Sequence, residues 1–154
     1  MKNLLLIAVL LLSVTVTAQR NRLKNVTEKD GKIGIGTKTP DELLTVKGKI
    51  HTQEVIVDLN GAVAPDYVFK NYYTGKSILK PDYQFLSLKE IENFIIENYH
   101  LPGLPSAKEI EKEGLSLKKM NLLLLEKIEE LTLFTIEQQK EIEALKLKFI
   151  SLEE

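Results

Sequence analysis

SLKKMNLLLLEKIEELTLFTIEQQKEIEALKLKFISLEE, residues 116–154, is the stretch from which the rest of this 154-residue chain is best read. With Ile128 at heptad position a, the a sites are Asn121, Ile128, Thr135, Ile142 and Phe149. The d sites are then Leu124, Leu131, Gln138, Leu145 and Leu152. Apolar residues fill most of this seam, and Glu, Lys and Gln flank much of it, which predicts a coiled-coil helix. A helix of about 38 residues runs roughly 57 Å at 1.5 Å per residue, too long for so small a chain to cover. Alone in water such a helix is marginal, so its seam must be buried against something. The nearest candidate is the same helix from another copy. The expected interface is Leu124, Ile128, Leu131, Thr135, Gln138, Ile142, Leu145, Phe149 and Leu152. Thr135 and Gln138 cost stability in mid-seam but can fix register and strand number. Leu133, Ile136, Leu147 and Ile150 form a second apolar stripe outside the seam. A trimer would use that stripe, and so would a helix against which other parts of the chain pack. Ile at a with Leu at d favours a dimer instead, so the seam alone leaves strand number open.

At the other end, Met1-Lys2-Asn3 precedes the apolar run Leu4–Leu12, and Val16-Thr17-Ala18 follows. This order predicts a secretory signal peptide over residues 1–18, cleaved after Ala18. Even counted on through Val14 and Val16, at roughly 13 residues, the run is short for a membrane span, which needs about 20. The expected location is therefore exported, whether periplasmic, cell-surface or extracellular, with no membrane association after cleavage. Cysteine is absent, which excludes disulfides, thiolate metal sites and a cysteine-linked lipid anchor. The formal net charge of −1 gives no basic excess for nucleic acid or anionic lipid.

Residues 19–31 are polar and read as a flexible lead-in. Residues 32–58 read as a short β stalk: Gly31, Gly34, Gly36 and Gly48 punctuate β-rich pieces, and Leu44, Val46 and Ile50 share one parity. So thin a β structure has too few apolar side chains for a core of its own. Residues 59–115 read as a small α+β module. Its stretch Asn60–Leu86 holds Tyr67, Phe69, Tyr72, Tyr73, Tyr83 and Phe85, broken by Pro65, Gly75 and Pro81 into turns and short extended pieces. These aromatics predict a small core packed against the next helix, with a carbohydrate-stacking surface as the alternative. Ser87 with Glu90, and Ser106 with Glu109, form two capping boxes. The first helix is expected to stop near Asn98, before Leu101-Pro102-Gly103-Leu104-Pro105, and Gly114 to end the second. Ser116 caps the long helix, residues 116–154, where Lys119 in the first turn calls for a nearby carboxylate. The fold class is α+β.

Chemistry-bearing patterns are sparse, and no catalytic residue, cofactor or metal ligand is assigned. Gly31–Lys38 misses a phosphate loop because Thr37 stands where Lys belongs, and Lys70 replaces the first glycine ahead of Gly75-Lys76-Ser77. Glycine for tight β packing explains the first run better. Ser77-x-x-Lys80 and Ser116-x-x-Lys119 have a serine–lysine spacing without its companion motifs. His51 and His100 belong to different modules, and Glu129/Glu130 reads as a solvated helix surface.

Gly34-Ile-Gly-Thr37 with Pro40, then Leu44-Thr-Val-Lys-Gly-Lys-Ile50, resembles the GIGT-x-x-P…L-x-V-x-G-x-I repeat of phage tail fibres and bacterial surface fibres. Tyr67-Val-Phe69, Tyr73–Ser77, His100–Ala107 and Met120–Leu131 resemble the ends of exported fibre-like proteins of Bacteroidetes. The layout is also similar to the intramolecular chaperone domain that ends tail spikes and endosialidases. That resemblance implies a homotrimer with a β stalk, a small folding module and a terminal three-helix bundle. In that family the chaperone releases itself with a serine at the start of the module and a nearby lysine. Here Asp58-Leu59-Asn60 stands at that place, with no serine and no lysine close in sequence. The expected function is an exported, non-enzymatic structural or assembly protein, fibre-like and homo-oligomeric, a trimer favoured over a dimer. Its alternatives are a cell-surface adhesin or carbohydrate-binding module, and a self-cleaving chaperone.

Overall fold

A computed structural model of the chain describes residues 23–153. The signal peptide expected over residues 1–18 lies outside the described residues. The architecture is α+β: strands β1 (Val26–Lys29), β2 (Lys32–Ile35) and β3 (Leu44–Val46), then helices α1 (Tyr67–Thr74), α2 (Leu88–Asn98), α3 (Ala107–Glu113) and α4 (Leu117–Glu153). The chain divides after Val55 into two compact units.

In the first unit, β1 and β2 form an antiparallel hairpin and β3 adds parallel to β2. Asp30 (φ 53°) and Gly31 (φ 75°) make the turn, and two successive positive φ angles suit the twist of a tight hairpin. This corrects the flexible lead-in expected over residues 19–31: Val26–Lys29 is a strand, paired to β2 through an Asp-Gly turn. The glycines of the Gly-Ile-Gly-Thr run are there for space. A Cβ on Gly34 would lie 2.5 Å from the Thr37 carbonyl oxygen, and one on Gly36, at φ 73°, 2.9 Å from that of Lys47. Thr45 ties down the following loop, its Oγ1 accepting from the amides of Asp41 and Glu42 and donating to Asp41 Oδ1. The register pairs Val26 with Ile35, Ile35 with Val46 and Ile33 with Leu44, so these five share one face of the sheet. Only Gly34 and Thr45 of the described residues in this unit are buried, so the sheet has no apolar core of its own. Ile50 and Val55–Val57 do not extend a strand.

In the second unit the local signals hold. Ser87 Oγ accepts from the Glu90 amide while Glu90 reaches back to the Ser87 amide, and Ser106 with Glu109 does the same. α2 stops at Asn98 with Tyr99 in the left-handed region, and Gly114 ends α3. Hydrogen bonds from Ser106 hold the Glu109 carboxyl below its ordinary range. Two expectations are corrected. Asn60–Leu86 is not only turns and extended pieces, because Tyr67–Thr74 is helical, closed by Gly75 in the left-handed region. The aromatics do not pack on the next helix either. α1 lies along α4, and among the described residues α2 and α3 pack on no other element. The core is Tyr67, Val68, Tyr83 and Leu133, with Phe69, Tyr72 and Phe85 against it.

Candidate functional site

α4 has 37 residues, about 56 Å at 1.5 Å per residue, and it presents two different faces. One is covered by the chain's own α1 and the segment after it. Leu133 is fully buried there, Phe134 stacks on Phe85 at 4.9 Å, and Tyr67 and Tyr83 meet at 5.1 Å. Around this apolar centre stand Glu126, Glu130 and Glu137, each accepting a hydrogen bond from a tyrosine hydroxyl. Tyr67 Oη donates to Glu126, Tyr83 Oη to Glu130 at 2.9 Å and Tyr72 Oη to Glu137 at 2.7 Å. Lys80 Nζ lies 3.0 Å from Glu126, and Lys127 reaches both Glu126 and Glu130 at 3.1 and 2.9 Å. Three tyrosines and Lys80 thus fasten the module to the helix, while Lys127, on α4 itself, braces Glu126 and Glu130.

This arrangement overturns the reading of Glu129/Glu130 as a solvated surface, since both are buried. Burial and the carboxylates push the Tyr67 and Tyr83 phenols far up, so both remain proton donors. Burial also pulls the Glu126 carboxyl up, but hydrogen bonds from Tyr67, Lys80 and Lys127, with the Lys127 charge, outweigh it and hold Glu126 low. Glu129 has no such help. Burial, then the charges of Asp66 and Glu126, push it up, and its Oε2 is buried without a hydrogen-bond partner.

The other face is bare. Leu124, Ile128, Leu131, Thr135, Gln138, Ile142, Leu145, Phe149 and Leu152 are all exposed, from 43% at Leu124 to 82% at Leu152 among the apolar ones. At about 100° per residue, the centre line of this seam lies roughly 150° round the helix from the covered face. The contrast is sharpest between neighbours: Leu131 is 64% exposed and Leu133 is fully buried. Of the second stripe, Leu133 is spent on the chain's own module, Ile136 is half-buried, and Leu147 and Ile150 are exposed. Every residue from Gln138 to Leu152 is exposed.

The remaining candidate sites have structural occupations. Of the aromatics considered for carbohydrate stacking, Tyr67 and Tyr83 are buried and Tyr72 is held by Glu137, leaving Tyr73 mostly exposed. Ser77 is buried, accepting from the Leu79 amide at 3.3 Å, while Lys80 is turned to Glu126. Ser116 Oγ accepts from the Lys119 amide at 3.4 Å. His100 lies edge-on to Phe94 at 5.3 Å. Among the described residues no three His, Asp or Glu gather as metal ligands, and no helix is long and apolar enough to cross a membrane. A cleft of about 330 Å³ is lined by Ala62, Val63, Leu79, Leu122 and Leu123 beside Lys118 and Lys119. Although Asp58–Asn60 has no lysine near it in sequence, the fold brings one: Lys118 Nζ lies 3.2 Å from the Leu59 carbonyl oxygen and 3.5 Å from that of Asp58.

The covered face had a signal in the sequence. Leu133-Phe134 lies off the seam, and Glu126, Glu130 and Glu137 fall on the same side at helical spacing, matched by Tyr67, Tyr72 and Tyr83 earlier in the chain. Comparison with protein-family models, curated proteins and solved structures finds no match to this chain.

Proposed function

We propose that this chain is an exported, non-enzymatic structural and assembly protein, fibre-like, that forms homotrimers through the bare face of α4. The carrying observation is that a regular seam of apolar side chains stands exposed opposite the face that the chain covers for itself. Folding the module leaves this seam untouched, so a second copy is what it can be buried against. Each seam Leu or Ile taken out of water contributes about 1.5–3 kcal/mol, and several of them exceed the cost of association.

Two further features bear on the arrangement. Beyond Gln138, Ile142, Leu145, Phe149 and Leu152 together with Leu147 and Ile150 spread over more than half the helix circumference. That arc is wider than a two-stranded seam uses and supports three strands. Glu141 at g and Lys146 at e pair between neighbouring helices when these run parallel and in register. The apolar face of the three-stranded sheet asks for neighbours too.

Sedimentation of the chain lacking residues 1–18 tests the reading. At micromolar concentration the trimer mass is expected, and Leu131→Asp is expected to give folded single subunits. A wild-type chain that sediments as a monomer, or a Leu131→Asp variant that keeps the trimer mass, defeats it.

A further inference from the structure

The segment that begins the second unit carries a reactive dipeptide. Asn60 (φ 46°) and Gly61 (φ 82°) are the central residues of a tight turn closed by the Ala62 amide on the Leu59 carbonyl at 3.0 Å. Both are exposed, and a Cβ on Gly61 would meet nothing within 4 Å. The Gly61 amide donates to no group among the described residues. Lys118, from the first turn of α4, holds the near arm of the turn through the Asp58 and Leu59 carbonyls.

We propose that Asn60 is a site of spontaneous deamidation through a succinimide, and that Lys118 restrains it. The Gly61 amide nitrogen attacks Asn60 Cγ. A carbon–nitrogen bond forms, the Gly61 amide proton is lost, and the side-chain nitrogen leaves as ammonia. Water then opens the cyclic imide at either carbonyl. Cleavage at Cγ returns a normal backbone with Asp, and cleavage at the main-chain carbonyl routes the backbone through the side chain as isoaspartate. Water is the one co-reactant.

The reasons are local. Glycine carries no side chain to block the attacking nitrogen, and the site is open to water. The other asparagines among the described residues lie in helices or, like Asn25 before Val26, precede a bulky residue. The turn itself opposes the reaction. To bring the Gly61 nitrogen onto Cγ the backbone at Asn60 must swing out of the left-handed region, which breaks the bond between Leu59 and Ala62. Lys118 resists that swing, so the rate of deamidation follows how often the turn opens. The product carries a new negative charge beside the Lys118 tether and, as isoaspartate, one extra methylene in the main chain.

The test is incubation of the full chain in neutral and mildly alkaline buffer, followed by digestion, peptide mass spectrometry and an isoaspartate-specific methyl-transfer assay. The peptide spanning Asn60 is expected to gain the mass difference between amide and acid, in both isomers, faster as pH rises. Lys118→Met is expected to accelerate it several-fold, with circular dichroism confirming that the variant is folded. A peptide that stays intact in both folded proteins while the urea-unfolded chain deamidates overturns the site. Equal rates in wild type and folded Lys118→Met overturn the restraint. Exchange of the Ala62 amide proton gives a reading that needs no variant: solvent conditions that speed its exchange in the wild-type protein must speed deamidation, and uncoupled rates count against the proposal.

Discussion

Glu129 and Glu126 sit one helical turn apart, and burial raises both carboxyls, yet their net shifts are opposite. Glu126 is held low by hydrogen bonds, so its folded form favours the charged state. Its stabilising contribution is present above the ordinary glutamate range and is lost as pH falls from that range through its lowered folded value. Glu129 is raised, so its folded form favours the proton. At neutral pH it costs stability, and that cost is relieved as pH falls through its raised value. Two substitutions separate the pair. Glu129→Gln removes the buried charge and is expected to stabilise the protein at neutral pH by about 1 kcal/mol, with the gain shrinking in acid. Glu126→Ala strands Lys80 and the Tyr67 hydroxyl and is expected to cost about 2 kcal/mol, since Lys80 retains some water contact. Urea unfolding followed by circular dichroism at two pH values reads both. Sequence reasoning missed this cluster because two adjacent glutamates on a long helix look like solvent-facing charge. The partners of this cluster lie far back in the chain, Tyr83 47 residues before Glu130 and Tyr67 59 residues before Glu126.

At the scale of elements, the signals written within a few residues were readable and those written across the chain were not. Both capping boxes, the stop at Asn98 and the close approaches at Gly34 and Gly36 follow from local chemistry. Helix α1 did not, because Tyr67-Val-Phe69 and Tyr72-Tyr73 carry the β-branched and aromatic residues of a strand, and tertiary packing on α4 overrides that preference. The hairpin β1–β2 was legible in Asp30-Gly31 but lay hidden in a stretch judged by its polarity. The nine seam positions were read from periodicity alone, and the structure shows them uncovered. Two residues of α4 that differ by less than a turn therefore have contrasting expected behaviour. Leu133→Ala opens a cavity under α1 and is expected to cost about 2–5 kcal/mol in unfolding. Leu131→Asp is expected to leave the module of each subunit folded, as judged by near-ultraviolet dichroism of its tyrosines. Gly36→Ala, pressed against the Lys47 carbonyl at a positive φ, is expected to destabilise the hairpin by about 1–3 kcal/mol. Loss of amide protection confined to β1–β3 would show it.

For the whole molecule, folding and association are separable steps under the proposed function. A trimer held by the bare seam gains stability by mass action, so its melting temperature is expected to rise with protein concentration, whereas that of Leu131→Asp stays fixed. A melting temperature independent of concentration in the wild type would contradict association through α4. The placing of seam and clasp on opposite sides of one rod has a consequence for descent. Under the proposed function, changes on the tyrosine-facing side alter how long each subunit lasts, and changes on the leucine-facing side alter how many subunits gather. Neither set touches the other's neighbours. A lineage is thus free to drift from one copy number to another while every intermediate remains a properly folded protein.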